Sequence, residues 1–166
     1  MGVAVVTGVG PRTGTSYVMC AARDAGMHVS GERYPEHTVP KHNPNGYWDV
    51  NLRTYRDEAP EWDNTVVKLW GKSIGEVGND RISRLVVLER ADKDAQLRSM
   101  ERVLKDELQL EANAGIDMDA SDVLSMFVTN ISDWLSGIDQ EKILRIPTRD
   151  LTARIDEILQ FLKGGM

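Results

Sequence analysis

Val5-Val6-Thr7-Gly8-Val9-Gly10-Pro11-Arg12-Thr13-Gly14-Thr15-Ser16 is the stretch from which the fold can be read outward. Val3–Val6 is a short β-branched run closing on Thr7-Gly8, the pattern of a buried strand. A glycine-rich turn follows at once. Gly14–Ala25 then has helix-forming composition, with Gly26 as its stop. In such a turn successive backbone N–H groups converge on an anion, and the helix N-terminus adds its positive dipole end. Gly14 permits close backbone approach, while Thr15 and Ser16 bring hydroxyls into the first helical turn. The plainer reading is a strand–turn–helix connection that binds nothing.

Downstream, Thr65–Trp70 (TVVKLW) and Leu85–Glu89 (LVVLE) are nearly continuous apolar runs, suited to a parallel sheet covered on both faces. Gly71–Asp80 between them holds a short helix or loop. Asp92–Ala112 reads as a helix, with Leu97, Met100, Leu104 and Leu108 along one face and Glu101 four residues before Lys105. A second helix is expected over Ala120–Leu135, then a strand at Lys142–Ile146 and a helix over Arg149–Lys163, stopped by Gly164-Gly165. Strands alternating with helices predict an α/β fold of three layers, with a mostly parallel central sheet flanked by helices. No internal repeat or linker divides the chain, so residues 1–166 are expected to form a single domain.

Ser30–Glu61 breaks the alternation. Pro35, Pro40, Pro44 and Pro60, with Asn45-Gly46, punctuate it as a long loop, and loops beyond about 12–15 residues are usually functional or disordered. Tyr34, Tyr47, Trp48, Tyr55 and Trp62 argue against disorder, because aromatics at this density need a surface to pack on.

Composition narrows the function classes. The chain has 166 residues, 41% hydrophobic and 28% charged, with a net charge of −6. Residues 1–60 carry equal numbers of basic and acidic side chains, so the whole excess of acid lies beyond them. A nucleic-acid partner would more often be met by a basic excess on one element, and none is expected here. No apolar run approaches the roughly 18 residues of a membrane span, and the start lacks the features of a secretory signal. The single cysteine, Cys20, excludes an internal disulfide and a cysteine-based zinc site, and reads as a packed small hydrophobe. The expected address is the cytoplasm. His28, His37 and His42 lack the helical pairing of zinc ligands, so no metal is expected.

The loop departs from the usual nucleoside-triphosphate cradle. That version needs Gly-Lys-Ser/Thr, whereas Thr15 occupies the lysine position and the cation, Arg12, lies two residues before Gly14. The arrangement Pro11-Arg12-Thr13-Gly14-Thr15-Ser16 resembles the 5′-phosphosulfate loop of the sulfotransferase family, typically Pro-Lys/Arg-Ser-Gly-Thr-Ser/Thr. Lys68 in VVKLW is similar to that family's strand-borne lysine. Arg90, ending a strand, and Ser99, nine residues on, are similar to its reader of the 3′-phosphate; the commoner spacing of eight falls on Arg98. Asn43-Pro-Asn-Gly-Tyr-Trp-Asp49 resembles a segment of bacterial members, and ILRIPTRDL…ILQFL their closing strand and helix.

The resemblance implies a P-loop-type fold and 3′-phosphoadenosine 5′-phosphosulfate as cosubstrate, with adenosine 3′,5′-bisphosphate as product. It also implies a small-molecule hydroxyl or amine acceptor. Pro11, Arg12, Thr13, Gly14, Thr15 and Ser16 would then grip the 5′-phosphate and sulfonate, with Arg90 and Ser99 at the 3′-phosphate. Lys68 would neutralise the departing oxygen. Glu32 stands where some relatives carry a catalytic glutamate. His37 is the other candidate base, since an ordinary imidazole pKa near 6.5 suits proton removal. His42 and Asp49 are further candidates. Two other classes stay open: a P-loop kinase in which Glu89 organises magnesium, and a nucleotide-binding protein without catalysis.

Overall fold

A computed structural model describes residues 2–9, 12–31, 33, 43–46, 48, 50, 62–111, 133 and 135–166. Among these residues four strands form one sheet in the order β2-β1-β3-β4: β1 Val3–Gly8, β2 Val66–Lys68, β3 Ile82–Glu89 and β4 Ile143–Pro147. Every pairing is parallel, with Val6 opposite Lys68, Val6 opposite Val86, and Leu88 opposite Ile146. The helices bounded among the described residues are α1 Thr15–Asp24, α2 Gly71–Val77, α3 Lys93–Glu111 and α4 Ile155–Lys163. The chain is therefore an α/β protein with a parallel sheet, as the alternation of runs predicted.

Side chains alternate across the strands and build two cores. Ala4, Val6, Val66, Val86, Leu88 and Ile146 face one side, where Val18, Met19 and Ala22 of α1 and Ile158 and Leu162 of α4 cover them. Val3, Val5, Val67, Leu85 and Val87 face the other, against Ile74 and Val77 of α2 and Leu135 and Ile138. Strands buried on both faces explain why they read as continuous apolar runs. Trp48 and Trp62 find the surface their aromatic character called for: they are 5% and 3% exposed, one in each core.

Several boundaries differ from the sequence reading. β3 starts at Ile82 rather than Leu85, because Ser83 and Arg84 sit at a register shift: Val3 faces Ile82 and Ala4 faces Arg84. Ser83 Oγ donates to Val3 O at 3.1 Å across that irregularity. β2 stops at Lys68, since Leu69 N makes its last tie to Val6 O at 3.1 Å and Trp70 already caps α2. α4 begins at Ile155, not Arg149. The intervening residues form a single 3₁₀ turn at Thr148–Asp150 and serve the glycine loop instead. The expected helix over Ala120–Leu135 lies mostly outside the described residues, as does most of Ser30–Glu61. Among the described residues no helix is long and apolar enough to cross a membrane.

Candidate functional site

A parallel sheet brings all strand C-termini to one edge, and the chemistry-bearing residues collect there. From β1 the chain passes through α1 on one face to β2, then through α2 on the opposite face to β3. β1 and β3 are neighbours reached by opposite routes, so a crevice opens between their C-terminal ends. The glycine loop begins in that crevice, with Val9 N donating to Leu88 O at 3.1 Å.

The loop turns in two left-handed steps. Arg12 has φ 66° and Gly14 φ 97°. Gly14 is the N-cap of α1; its carbonyl accepts from Tyr17 N at 3.0 Å and Val18 N at 3.3 Å. A glycine contributes no capping side chain, and the first turn of α1 carries no acidic residue. The opening N–H groups of a helix have no intrahelical carbonyl, so this end keeps its attraction for an anion. α3 is served differently: Asp92 Oδ1 accepts from Ala95 N at 2.8 Å.

Residues past the ends of β3 and β4, with one from α3 and one from a turn, secure different parts of the loop. Arg90 Nη1 donates to Arg12 O at 2.9 Å, and Arg12 Nε donates to Ser99 Oγ at 3.0 Å. Thr148, just past β4, donates its hydroxyl to Thr13 O at 2.9 Å. Asn43 Nδ2 donates to Ser16 Oγ at 3.0 Å. Thr13, Thr15, Ser16 and Ser99 are all buried. Arg12, Arg90 and Ser99, separated by up to 87 positions in sequence, are thus joined in one hydrogen-bonded series.

The acidic neighbours of Arg90 in sequence, Glu89 and Asp92, have other partners. Glu89 accepts from Arg145 Nη1 at 2.6 Å, and Asp92 caps α3. Between Ser99 and Arg98, Ser99 faces the loop and Arg98 is exposed. Lys68 is 4% exposed at the end of β2, on the face it shares with Val66 and α1, with its Nζ 5.3 Å from the centroid of the Trp70 ring. Thr7, at the end of β1, faces the other core by strand alternation. It is fully buried, and its Oγ has no hydrogen-bond partner among the described residues.

Other expectations fall outside the described residues: Pro11 of the loop, and the candidate bases Glu32, His37, His42 and Asp49. Cys20 departs from the packed hydrophobe expected of it. Its sulfur is half-buried between Arg33 Nη2 at 3.7 Å and Arg23 Nη2 at 3.8 Å, with Asp24 Oδ2 at 3.8 Å. Arg23 also lies over Trp48, 5.4 Å from its ring centroid, and bonds Asp24 so that this carboxyl titrates below its ordinary value.

Three residues had no role assigned from the sequence. Gln96, 1% exposed, lies one turn before Ser99 on α3, and a polar i, i+3 pair beside an apolar stripe was the available signal. Asn43 and Thr148 stood in segments quoted for the resemblance, but no periodicity marked either one, because a turn and a 3₁₀ segment deliver them. Among the described residues no group of three or more His, Cys, Asp or Glu side chains converges. The chain matches no known protein family model and no curated protein.

Proposed function

We propose that this chain is a P-loop-type sulfotransferase, moving a sulfonate from 3′-phosphoadenosine 5′-phosphosulfate to a hydroxyl or amine acceptor. The observation that carries the reading is the series Arg90 Nη1 to Arg12 O and Arg12 Nε to Ser99 Oγ, at 2.9 and 3.0 Å. Two guanidiniums and a buried hydroxyl suit a doubly phosphorylated nucleotide. Beside them the α1 N-terminus, with no acid in its first turn, suits a second anion.

In this reading Arg90 and Ser99 hold the 3′-phosphate. Thr15, Ser16 and the loop N–H groups hold the 5′ end, with Arg12 between the two. The acceptor oxygen or nitrogen forms a bond to sulfur as the bond from sulfur to the bridging oxygen breaks. The bridging oxygen leaves with the electron pair on the 5′-phosphate, and the acceptor proton passes to a base, for which Glu32 and His37 are the candidates. Lys68, at the strand end beside the loop, opposes the charge developing on the leaving group. Positioning and electrostatics of this kind supply most of the barrier reduction in group transfer to oxygen.

Calorimetry tests the reading directly. Adenosine 3′,5′-bisphosphate is expected to bind, and Arg12→Ala to weaken it about 10- to 100-fold, the worth of one or two charge-assisted hydrogen bonds. Absence of binding to the wild-type chain overturns the proposal. Magnesium-dependent binding of ATP with indifference to the bisphosphate would support the kinase instead. That reading asks Glu89 to organise the metal, although Glu89 is already paired with Arg145.

A further inference from the structure

Asn43 comes from the proline-punctuated segment yet reaches the first turn of α1. Its own backbone is held in a closed turn: Gly46 N donates to Asn43 O at 2.8 Å, and Gly46 stands at φ 88°. Trp48 locks the same turn, donating its indole N–H to Asn45 O at 2.6 Å while its ring is buried in the α1 core. The turn is therefore anchored before its side chain does anything. From it Asn43 Nδ2 reaches Ser16 Oγ at 3.0 Å.

The direction of that bond matters. A serine hydroxyl has one proton to give and lone pairs to receive. An amide N–H has only a proton to give, so Ser16 Oγ must receive from Asn43, and the serine proton is left to be donated elsewhere. Ser16 is buried at 7% exposure and is the second residue of α1, where backbone N–H groups point beyond the helix end. Receiving one hydrogen bond also polarises the hydroxyl and strengthens the bond it donates.

We infer that Asn43 is a positioning residue that commits Ser16 to donate its proton to an anionic oxygen at the start of α1. On the sulfotransferase reading, on which this inference rests, that oxygen belongs to the 5′ end of the nucleotide. The same bond ties the turn over residues 43–46 to the start of α1.

The test uses the full chain, calorimetry and two probes: adenosine 3′,5′-bisphosphate and adenosine 3′-monophosphate, which lacks the 5′ anion. Asn43→Ala is expected to weaken the bisphosphate roughly tenfold, because the Ser16 hydroxyl is no longer held to donate to the charged oxygen, and to leave the monophosphate unchanged. In a Ser16→Ala background the Asn43 substitution should cost nothing further. Asn43→Asp, nearly the same shape, should weaken the bisphosphate more than alanine does, because its carboxylate takes the Ser16 proton for itself. Equal weakening of both nucleotides, or additive losses in the double variant, would make Asn43 a structural tie and overturn the inference. A silent Asn43→Asp would do the same. Each of these leaves the sulfotransferase reading standing, whereas a wild-type chain that binds no bisphosphate removes that reading and the inference with it.

Discussion

Gly14 meets two demands that no other residue type satisfies together. Its φ of 97° lies where a side chain strains the backbone, and a Cβ built there would stand 2.5 Å from Leu151 Cδ2. Leu151 is itself buried and belongs to the turn whose Thr148 bonds Thr13 O. A Cβ at this position would therefore force the Leu151 side chain to shift. Gly14→Ala is expected to lower stability by about 1–3 kcal/mol, through strain and displacement of Leu151. Denaturant unfolding measures this, and a loss below about 0.5 kcal/mol, within the range of an ordinary surface change, would mean the loop relaxes freely. Arg12 adopts φ 66° with a full side chain, a strain maintained by the bonds from Arg90 to its carbonyl and from its own Nε to Ser99. In the sequence Gly14 was legible as a close-approach glycine. The partner it approaches was not, since Leu151 lies on an element joined to it only by the fold.

At the scale of elements, apolar period and length identified the strands and α1 through packing alone. The errors came where polar bonds overrule the pattern. α3 was assigned a face of Leu97, Met100, Leu104 and Leu108, yet its first turns bury Gln96, Ser99 and Met100 while Leu97 is only half-buried. That face is drawn toward Arg12 by a bond a hydrophobic period does not register. α4 shows the same at its start, where Thr148 and Leu151 are taken by the loop. Its helix then opens with an ion pair: Arg154 Nε and Nη2 contact both carboxylate oxygens of Glu157, at 2.7 and 2.6 Å. The Arg154 hydrogen bonds hold the Glu157 carboxyl below its ordinary value. Because the folded-state value is depressed, the pair's contribution to stability is present above the unfolded carboxyl pKa. It is lost as pH falls through the folded one. Glu157→Gln is therefore expected to match the acid form of the wild type while losing stability at neutral pH, a small and salt-sensitive difference for so exposed a pair. Unfolding curves at neutral and acid pH, in low and high salt, check it; a difference that grows toward acid would reverse the sign.

For the molecule as a whole, the parallel sheet with helices on both faces follows from alternating runs. The C-terminal edge then follows as the place where its loops gather. What the sequence does not encode in spacing is convergence: Arg90 and Thr148 lie on separate strand ends, Ser99 on a helix and Asn43 on a turn, yet all four bond residues between Arg12 and Ser16. A nucleotide seated on that loop would accordingly be coupled to β1, β3, α3 and the β4 end together, so its binding energy should appear as global rather than local stability. Linkage gives the magnitude: at one hundred times its dissociation constant a ligand specific to the folded state adds about 2.7 kcal/mol. For a chain of this size that corresponds to a rise in Tm of roughly 5–10 °C, at about 2–4 °C per kcal/mol. Adenosine 3′,5′-bisphosphate is expected to produce this rise in the wild type, and Arg12→Ala, binding about 10- to 100-fold more weakly, to cut the stabilisation to about 0.4–1.4 kcal/mol at the same concentration without broadening the transition. A thermal scan across concentrations decides the matter, because a true linkage effect keeps climbing with the logarithm of free nucleotide. A rise that saturates at one or two degrees, or that Arg12→Ala leaves undiminished, would place the nucleotide away from the loop.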